Sequence, residues 1–217
     1  MGDTRTKLLE GALETLRTQG IATTSARSIA ATAGVNQALV FYHFGSVDDL
    51  LAAALRHGAE QRVALYRTRF AAVTSLRELL ELGRALHEEE RAAGNLAVLA
   101  QMLAGSQTDD KLAPATAAGL GMWVAELEDV LGRVLVDTPL AEFVDVGGLA
   151  RAAAAAFVGL ELYEGVDKDG AERALASLEQ LSDLVTLLEE LGPLTRRTVR
   201  GRLRRARGNA RGDDVRP

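Results

Sequence analysis

Residues 25–46 read Ser25-Ala-Arg-Ser-Ile-Ala-Ala-Thr-Ala-Gly-Val-Asn-Gln-Ala-Leu-Val-Phe-Tyr-His-Phe-Gly-Ser46, and this stretch decides the fold. A short amphipathic segment from Ser25 to about Thr32 turns Ile29 and Ala30 inward and ends at Ala33-Gly34-Val35. A second short segment runs from Asn36 to Phe44. Glycine at 34 allows a backbone turn that residues with a Cβ resist, and Val35 can fill the space between two helices, so the second helix projects from the body. A projecting helix can enter a major groove. Three of the nine aromatic residues of the chain, Phe41, Tyr42 and Phe44, fall on this helix with His43 among them. So dense a cluster requires some of them to be exposed.

Upstream, Leu9, Ala12, Leu13 and Leu16 recur at three- and four-residue steps after Thr4, the expected N-cap, and the pattern stops at Gly20. Downstream, Ser46 is placed to cap a fourth helix, with Asp49 at its third position and Asp48 beside it where the helix dipole favours negative charge. Leu50, Leu51, Ala54 and Leu55 are its apolar residues. Beyond Gly58 the periodic segments lengthen to roughly 59–72, 75–92, 95–106, 114–136, 146–167 and 171–191. With four prolines and no convincing strand, the expected fold is all-α. An amino-terminal three-helix helix-turn-helix domain is joined by a fourth helix to a carboxy-terminal helical bundle that dimerises. The expected boundaries are 1–50 for the helix-turn-helix domain, 51–193 for the helical bundle, and 194–217 for an Arg-rich tail.

Composition narrows the chemistry. The chain has 217 residues, 47% of them hydrophobic, and no cysteine, which excludes disulfides, thiolate nucleophiles and cysteine-ligated metals. Neither a leader nor a membrane span is indicated, and the expected location is the cytoplasm. Residues 196–217 hold nine Arg against two Asp, a charge of +7; with −5 overall, residues 1–195 carry −12. The tail is either a solvated extension or a source of salt-dependent phosphate attraction. Residues 1–50 carry a net charge of −1, so DNA affinity has to come from placement rather than bulk charge. The three histidines, His43, His57 and His87, fall in no HExxH spacing, and Gly119-Leu120-Gly121 lies inside a helical pattern without a preceding strand. No enzyme activity, cofactor or metal is expected, and His87, beside Glu88, Glu89 and Glu90, reads as a solvated surface histidine.

Residues 4–55 closely resemble the amino-terminal domain of the tetracycline-repressor (TetR) family of transcriptional regulators. The resemblance rests on the first helix ending at Gly20, Arg27, Ile29-Ala30, Ala33-Gly34-Val35, Val40-Phe41-Tyr42-His43-Phe44 and Ser46 through Leu50. It implies that Asn36 caps the recognition helix and that Gln37, Ala38 and Leu39 face base edges, Gln being able to pair bidentately with adenine. It also implies that Phe41, Tyr42 and His43 lie at the DNA backbone, that Ser25 and Arg27 hold it from the preceding helix, and that Val40 and Phe44 are core. The chain departs from the family pattern at Phe41, commonly tyrosine, and at Val47, often lysine.

The resemblance further implies a homodimer on a palindromic double-stranded operator, released by a small-molecule effector. Met102, Met122, Trp123 and Phe157 are the candidate ligand-binding residues. Sparse aromatics favour an aliphatic or mixed-polarity effector over a large planar cation. The Ala-rich run 150–157 and the leucines of 175–188 supply two apolar helices suited to the dimer interface. The rival reading is a small-molecule-binding or scaffolding helical dimer that has lost sequence-specific DNA binding.

Overall fold

In the computed structural model the described residues are 2–136, 138 and 140–189, with 198, 201 and 202 besides. All regular structure among them is helical: α1 (Gly2–Gln19), a 3-10 turn (Ile21–Thr23), α2 (Ala26–Ala33), α3 (Ala38–Phe44), α4 (Val47–Ala72), α5 (Leu76–Ala92), α6 (Asn95–Gly105), α7 (Ala113–Leu135), α8 (Val146–Glu164) and α9 (Lys168–Glu189). The Arg-rich tail expected over 194–217 lies outside the described residues, apart from 198, 201 and 202. So do the α9 side chains from 181 onward.

The helix α1 begins at Gly2, so Thr4 lies in its first turn and is not its cap. Asp3 stands there instead, favoured by the helix dipole and paired with Lys7 one turn on at 2.8 Å. Its apolar stripe buries Leu8, Leu9, Ala12 and Leu16. Each of the three leucines contributes about 1.5–3 kcal/mol on leaving water. Thr15, fully buried on the same face, donates to the Gly11 carbonyl at 2.7 Å and meets the Thr32 hydroxyl at 3.0 Å, so a polar side chain ties α1 to α2 without being stranded. A Cβ at Gly11 would lie 2.8 Å from the Ala33 Cβ, which makes glycine obligatory for this helix crossing.

In α2 the Ser25 hydroxyl accepts from the Ser28 N–H while the Ser28 side chain accepts from the Ser25 N–H, a reciprocal capping box. The helix ends at Gly34 in the left-handed conformation, φ 64°, where a residue with a Cβ is strained. The sequence pattern separates a fourth helix from a segment beginning near 59, but α4 runs unbroken for 26 residues. Gly58 does not break it because it serves as a contact surface for Leu13 of α1. An unbroken α4 carries the expected 50/51 boundary in its first turns, and the amino-terminal core draws in Leu51, Ala53 and Ala54 of α4 and Val98 and Met102 of α6.

The bundle has two further cores. Tyr66 and Phe70 of α4 pack with Leu82 and Leu86 of α5 and Val130 of α7; Val124, Leu131 and Leu135 of α7 pack with Ala150 and Ala154 of α8. Against the expectation of no span, α8 is by length and composition apolar enough to cross a membrane, 19 residues at mean hydropathy 1.3. It turns Ala150, Ala154 and Val158 inward and leaves Leu149, Leu162 and Tyr163 uncovered.

Candidate nucleic-acid interface and bundle cavity

The outer surface of the amino-terminal domain is set by α3. Asn36 Oδ1 accepts the Ala38 N–H at 2.8 Å. The N-cap position of α3 is taken by Gln37, whose side chain makes no cap bond, so Asn36 supports the helix start from one residue earlier than expected. Val40 is fully buried and Phe44 partly so, which anchors the helix on the core and turns the rest outward. Phe41 and Tyr42 are 50% and 68% exposed, an arrangement with no packing benefit to the isolated chain. The Tyr42 ring meets His43 edge-on at 5.0 Å, and the Arg5 guanidinium stands 5.1 Å from the centre of the Phe44 ring. Gln37 and Ala38 are exposed at the start of the helix, and Ser25 and Arg27 are exposed at the start of α2. Leu39, expected at base edges, is partly buried against the core instead. After α3 the chain turns at Gly45, and the Ser46 hydroxyl accepts from the Asp49 N–H at 3.0 Å while donating to its carboxylate at 2.6 Å.

Behind this domain the bundle encloses a cavity of about 1250 Å³. Its lining on α4 reaches from Leu55 to Phe70, fifteen residue steps and so about 22 Å at 1.5 Å per residue. Trp123 and Phe157, both expected at a ligand, line it. Met102 does not: it is wholly buried in the amino-terminal core, because α6 turns that face toward α1 rather than into the bundle. Met122 is partly buried but also stands off the lining, since its neighbour Trp123 takes the inward position on α7. Ala152, Ala156 and Leu178 of α8 and α9 line the cavity and are exposed in the single chain, as are Arg17 of α1, Gln61 of α4 and Arg84 of α5.

A buried polar hub stands where the cavity approaches the amino-terminal domain. Glu90 of α5, 3% exposed, accepts from Arg62 Nε at 2.7 Å, from the Tyr66 hydroxyl at 2.6 Å and from Asn95 Nδ2 at 2.9 Å. Arg62 Nη2 also donates to Glu90 and to Tyr66. Burial works against the Arg62 charge, but the hydrogen bond and charge of Glu90 outweigh it and hold the guanidinium above its ordinary value. Burial first, then the bond to Glu90, pushes the Tyr66 hydroxyl well up. Asn95 extends the hub to the amino-terminal domain, its Oδ1 accepting from Arg17 Nε of α1 at 3.3 Å. Gln101 of α6 makes a second link, accepting the Ile21 N–H at 2.8 Å.

His87 is not the surface histidine its acidic neighbours suggest. It is 4% exposed, its ring edge-on to Phe157 at 5.3 Å, with Nε2 at 3.1 Å from Glu164 and 3.8 Å from Glu161. The ligating atoms of these three residues lie within 4.8 Å of one another. Positive charge already stands beside them: Arg91 pairs with Glu164 at 2.9 Å. The bond from His87, with the charges of Arg91 and Lys168, holds the Glu164 carboxyl below its usual range against the opposing effect of burial. His87 Nδ1 and Glu161 Oε2 are buried without a hydrogen-bond partner.

Sequence reading missed Arg62, Glu90, Asn95 and His87 as a polar group in the bundle. The only local signal is the four-residue step from Arg62 to Tyr66; Glu90 lies 28 residues from Arg62, and His87 lies 77 from Glu164. No periodicity joins positions so far apart.

Residues 8–54 match the model of the "Bacterial regulatory proteins, tetR family". Uncharacterised HTH-type transcriptional regulators of Mycobacterium tuberculosis and Mycobacterium bovis are each 26% identical over 127 residues, 58% of this chain. The match spans 65% of the length of these relatives. Among solved structures, a protein from Rhodococcus sp. assigned to the TetR family superposes with TM-score 0.69 at 24% identity, covering 85% of this chain and 99% of that one. Salmonella enterica GusR gives 0.65 at 21% identity, covering 86% and 95%. A TetR transcription regulator from Haloarcula marismortui gives 0.68 at 19%, covering 85% and 99%. The match to the tetR-family model over residues 8–54 falls on the helix-turn-helix domain with its aromatic face outward, and the described residues as a whole share the fold of these solved structures.

Proposed function

We propose that the protein is a homodimeric repressor that binds a palindromic operator through α3 and releases it when a small molecule occupies the bundle cavity. The observation that carries this reading is the outward placement of Phe41 and Tyr42 on a helix whose Val40 is fully buried. Gln37 and Ala38 read base edges, while Ser25, Arg27, Phe41, Tyr42 and His43 meet the sugar-phosphate backbone. Leu39 contributes only its uncovered part. The apolar outer faces of α8 and α9 form the dimer interface, setting two recognition helices about 34–36 Å apart or a multiple of one turn. We place the domain boundary inside α4, the helix both domains share.

Release is a population shift: a ligand that prefers the bundle state with recognition helices splayed lowers operator affinity by the ratio of its affinities for the two states. Selection of bound sequences from a random DNA pool by the full-length protein, followed by salt titration of the winner, tests the reading. Recovery of a palindrome with a clear salt slope is expected. Absence of any enriched sequence from folded dimer supports the rival, a ligand-binding or scaffolding dimer without an operator, which the Phe41 and Val47 departures favour. Gln37→Ala should relax preference at one base position per half-site, whereas Tyr42→Ala and Arg27→Ala should weaken binding to all sequences alike.

A further inference from the structure

Glu161 and Glu164 lie three residues apart on α8, so they share the face that meets His87 of α5. His87 Nε2 points between the two carboxylates, 3.1 Å from Glu164 Oε2 and 3.8 Å from Glu161 Oε2. A single proton cannot serve both. On Nε2 it bonds Glu164, while 3.8 Å is beyond hydrogen-bond reach, and Glu161 Oε2 is left buried with no partner. A bare buried carboxylate oxygen is costly. Arg91 reaches the other oxygen of Glu164, Oε1, at 2.9 Å, which leaves Oε2 facing the ring. The gap among these atoms has the dimensions of a metal site, since all three ligating atoms lie within 4.8 Å of one another. Two ligands about 2.1 Å from a tetrahedral ion stand about 3.4 Å apart, close to both separations from Nε2.

We propose that His87, Glu161 and Glu164 bind a divalent first-row transition ion, such as Zn²⁺, which ties α5 to α8. One imidazole and two carboxylates suit such an ion, whereas Mg²⁺ and Ca²⁺ favour oxygen alone. With the ion on Nε2, the ring's one proton sits on Nδ1, which has no partner with or without the ion and so weighs neither way. Ring orientation is fixed by Phe157, edge-on at 5.3 Å, and the Arg91 bond orients Glu164 from behind. A separate pocket of about 230 Å³, with His87, Glu164 and Lys168 in its wall, gives the ion a way in and leaves room for water as a fourth ligand. The charges of Arg91 and Lys168 oppose the ion, but both residues are exposed, where solvent and salt screen them.

Full-length protein stripped of metal by EDTA and dialysed is titrated with Zn²⁺ by calorimetry, and its melting temperature is followed with Zn²⁺ and with Mg²⁺. One Zn²⁺ per chain is expected, with a rise in melting temperature that the same concentration of Mg²⁺ does not give. Glu161→Gln keeps the size of the side chain, and Oε2 gives up no hydrogen bond, so the metal-free variant should melt no lower than wild type. It should bind Zn²⁺ at least about tenfold more weakly, since a ligand counts for no less than the outer partners whose loss costs about 10–100-fold. His57, bonded to Gln61 on α4, lies outside the cluster, and His57→Gln should leave uptake unchanged. No uptake by folded wild type overturns the proposal, as do uptake undiminished in Glu161→Gln, uptake lost in His57→Gln, and equal affinity for Mg²⁺. Uptake is measured without DNA or effector, so its failure leaves the proposed function standing.

Discussion

Gly11 and Gly83 each lie in mid-helix, and their surroundings could hardly differ more. A Cβ at Gly11 would stand 2.8 Å from another side chain, while at Gly83 there is nothing within 4 Å. The amino-terminal domain is packed to the limit that backbones allow, and the bundle is built around open volume. Lining atoms without partners forfeit dispersion energy, so the bundle gives up stability that the amino-terminal domain retains. On the proposed function, one domain is a rigid presenting surface for α3, and the other would gain stability when a ligand fills it. α6 belongs to both, with Met102 in the packed core, Leu96 and Leu99 on the cavity wall, and Val98 in the core and on the wall alike.

If the contrast holds, large-to-small changes in the amino-terminal core are the most damaging available. Leu16→Ala is expected to cost about 2–5 kcal/mol, because Leu16 is fully buried where neighbours cannot collapse into the gap. Denaturant melts of wild type and variant check this; a loss under about 1 kcal/mol would mean the domain is as loosely packed as the bundle. Overpacking the same region comes next. Gly11→Val should destabilise by about 1–3 kcal/mol and weaken operator binding with it, since α1 must shift away from α2.

The packed half is also the half that was legible from sequence. Ser25, Gly34, Asn36 and Ser46 act through neighbours two to four residues away, so their roles in caps and turns follow from local spacing. In the bundle, helix spans could be read from periodicity, but which face meets which could not. Met102 is a typical cavity residue by type, yet it packs under α1. His87 lies among three glutamates and is nonetheless buried, because residues 161 and 164 on a distant helix come to meet it. The hollow itself has no sequence signature, since the same leucines would serve equally to fill a core.

Asn95→Ala cuts the hydrogen-bonded chain from Arg17 through Asn95 to Glu90 where the two regions join. The stability loss should be modest, about 1 kcal/mol, leaving Glu90 still held by Arg62 and Tyr66. The sharper readout is the change in operator affinity caused by a cavity ligand. If Asn95 transmits occupancy, that change shrinks in the variant while ligand affinity is kept. Gly83→Ala tests the hollow side alone, and with no clash to offset the better helix propensity it should stabilise by about 1 kcal/mol. Destabilisation there would show that α5 already packs closely at this point.

The smallest effect is electrostatic. The Glu164 carboxyl lies below the ordinary value of 4.5, held there first by the hydrogen bond from His87 and then by the charges of Arg91 and Lys168, against burial. Its proton is therefore bound less tightly in the folded chain than in the unfolded one. The resulting stability is fully present above the unfolded value and is lost as pH falls through the lower folded value. Glu164 joins α8 to α5 through His87 and Arg91, with Glu161 as the other carboxylate facing the ring. Melting temperature measured on acidification should therefore fall more steeply for wild type than for Glu164→Gln, with the difference confined to the range below 4.5. Parallel curves would mean that the α5–α8 contact is carried by Phe157 against the His87 ring, so that packing rather than charge closes this side of the cavity.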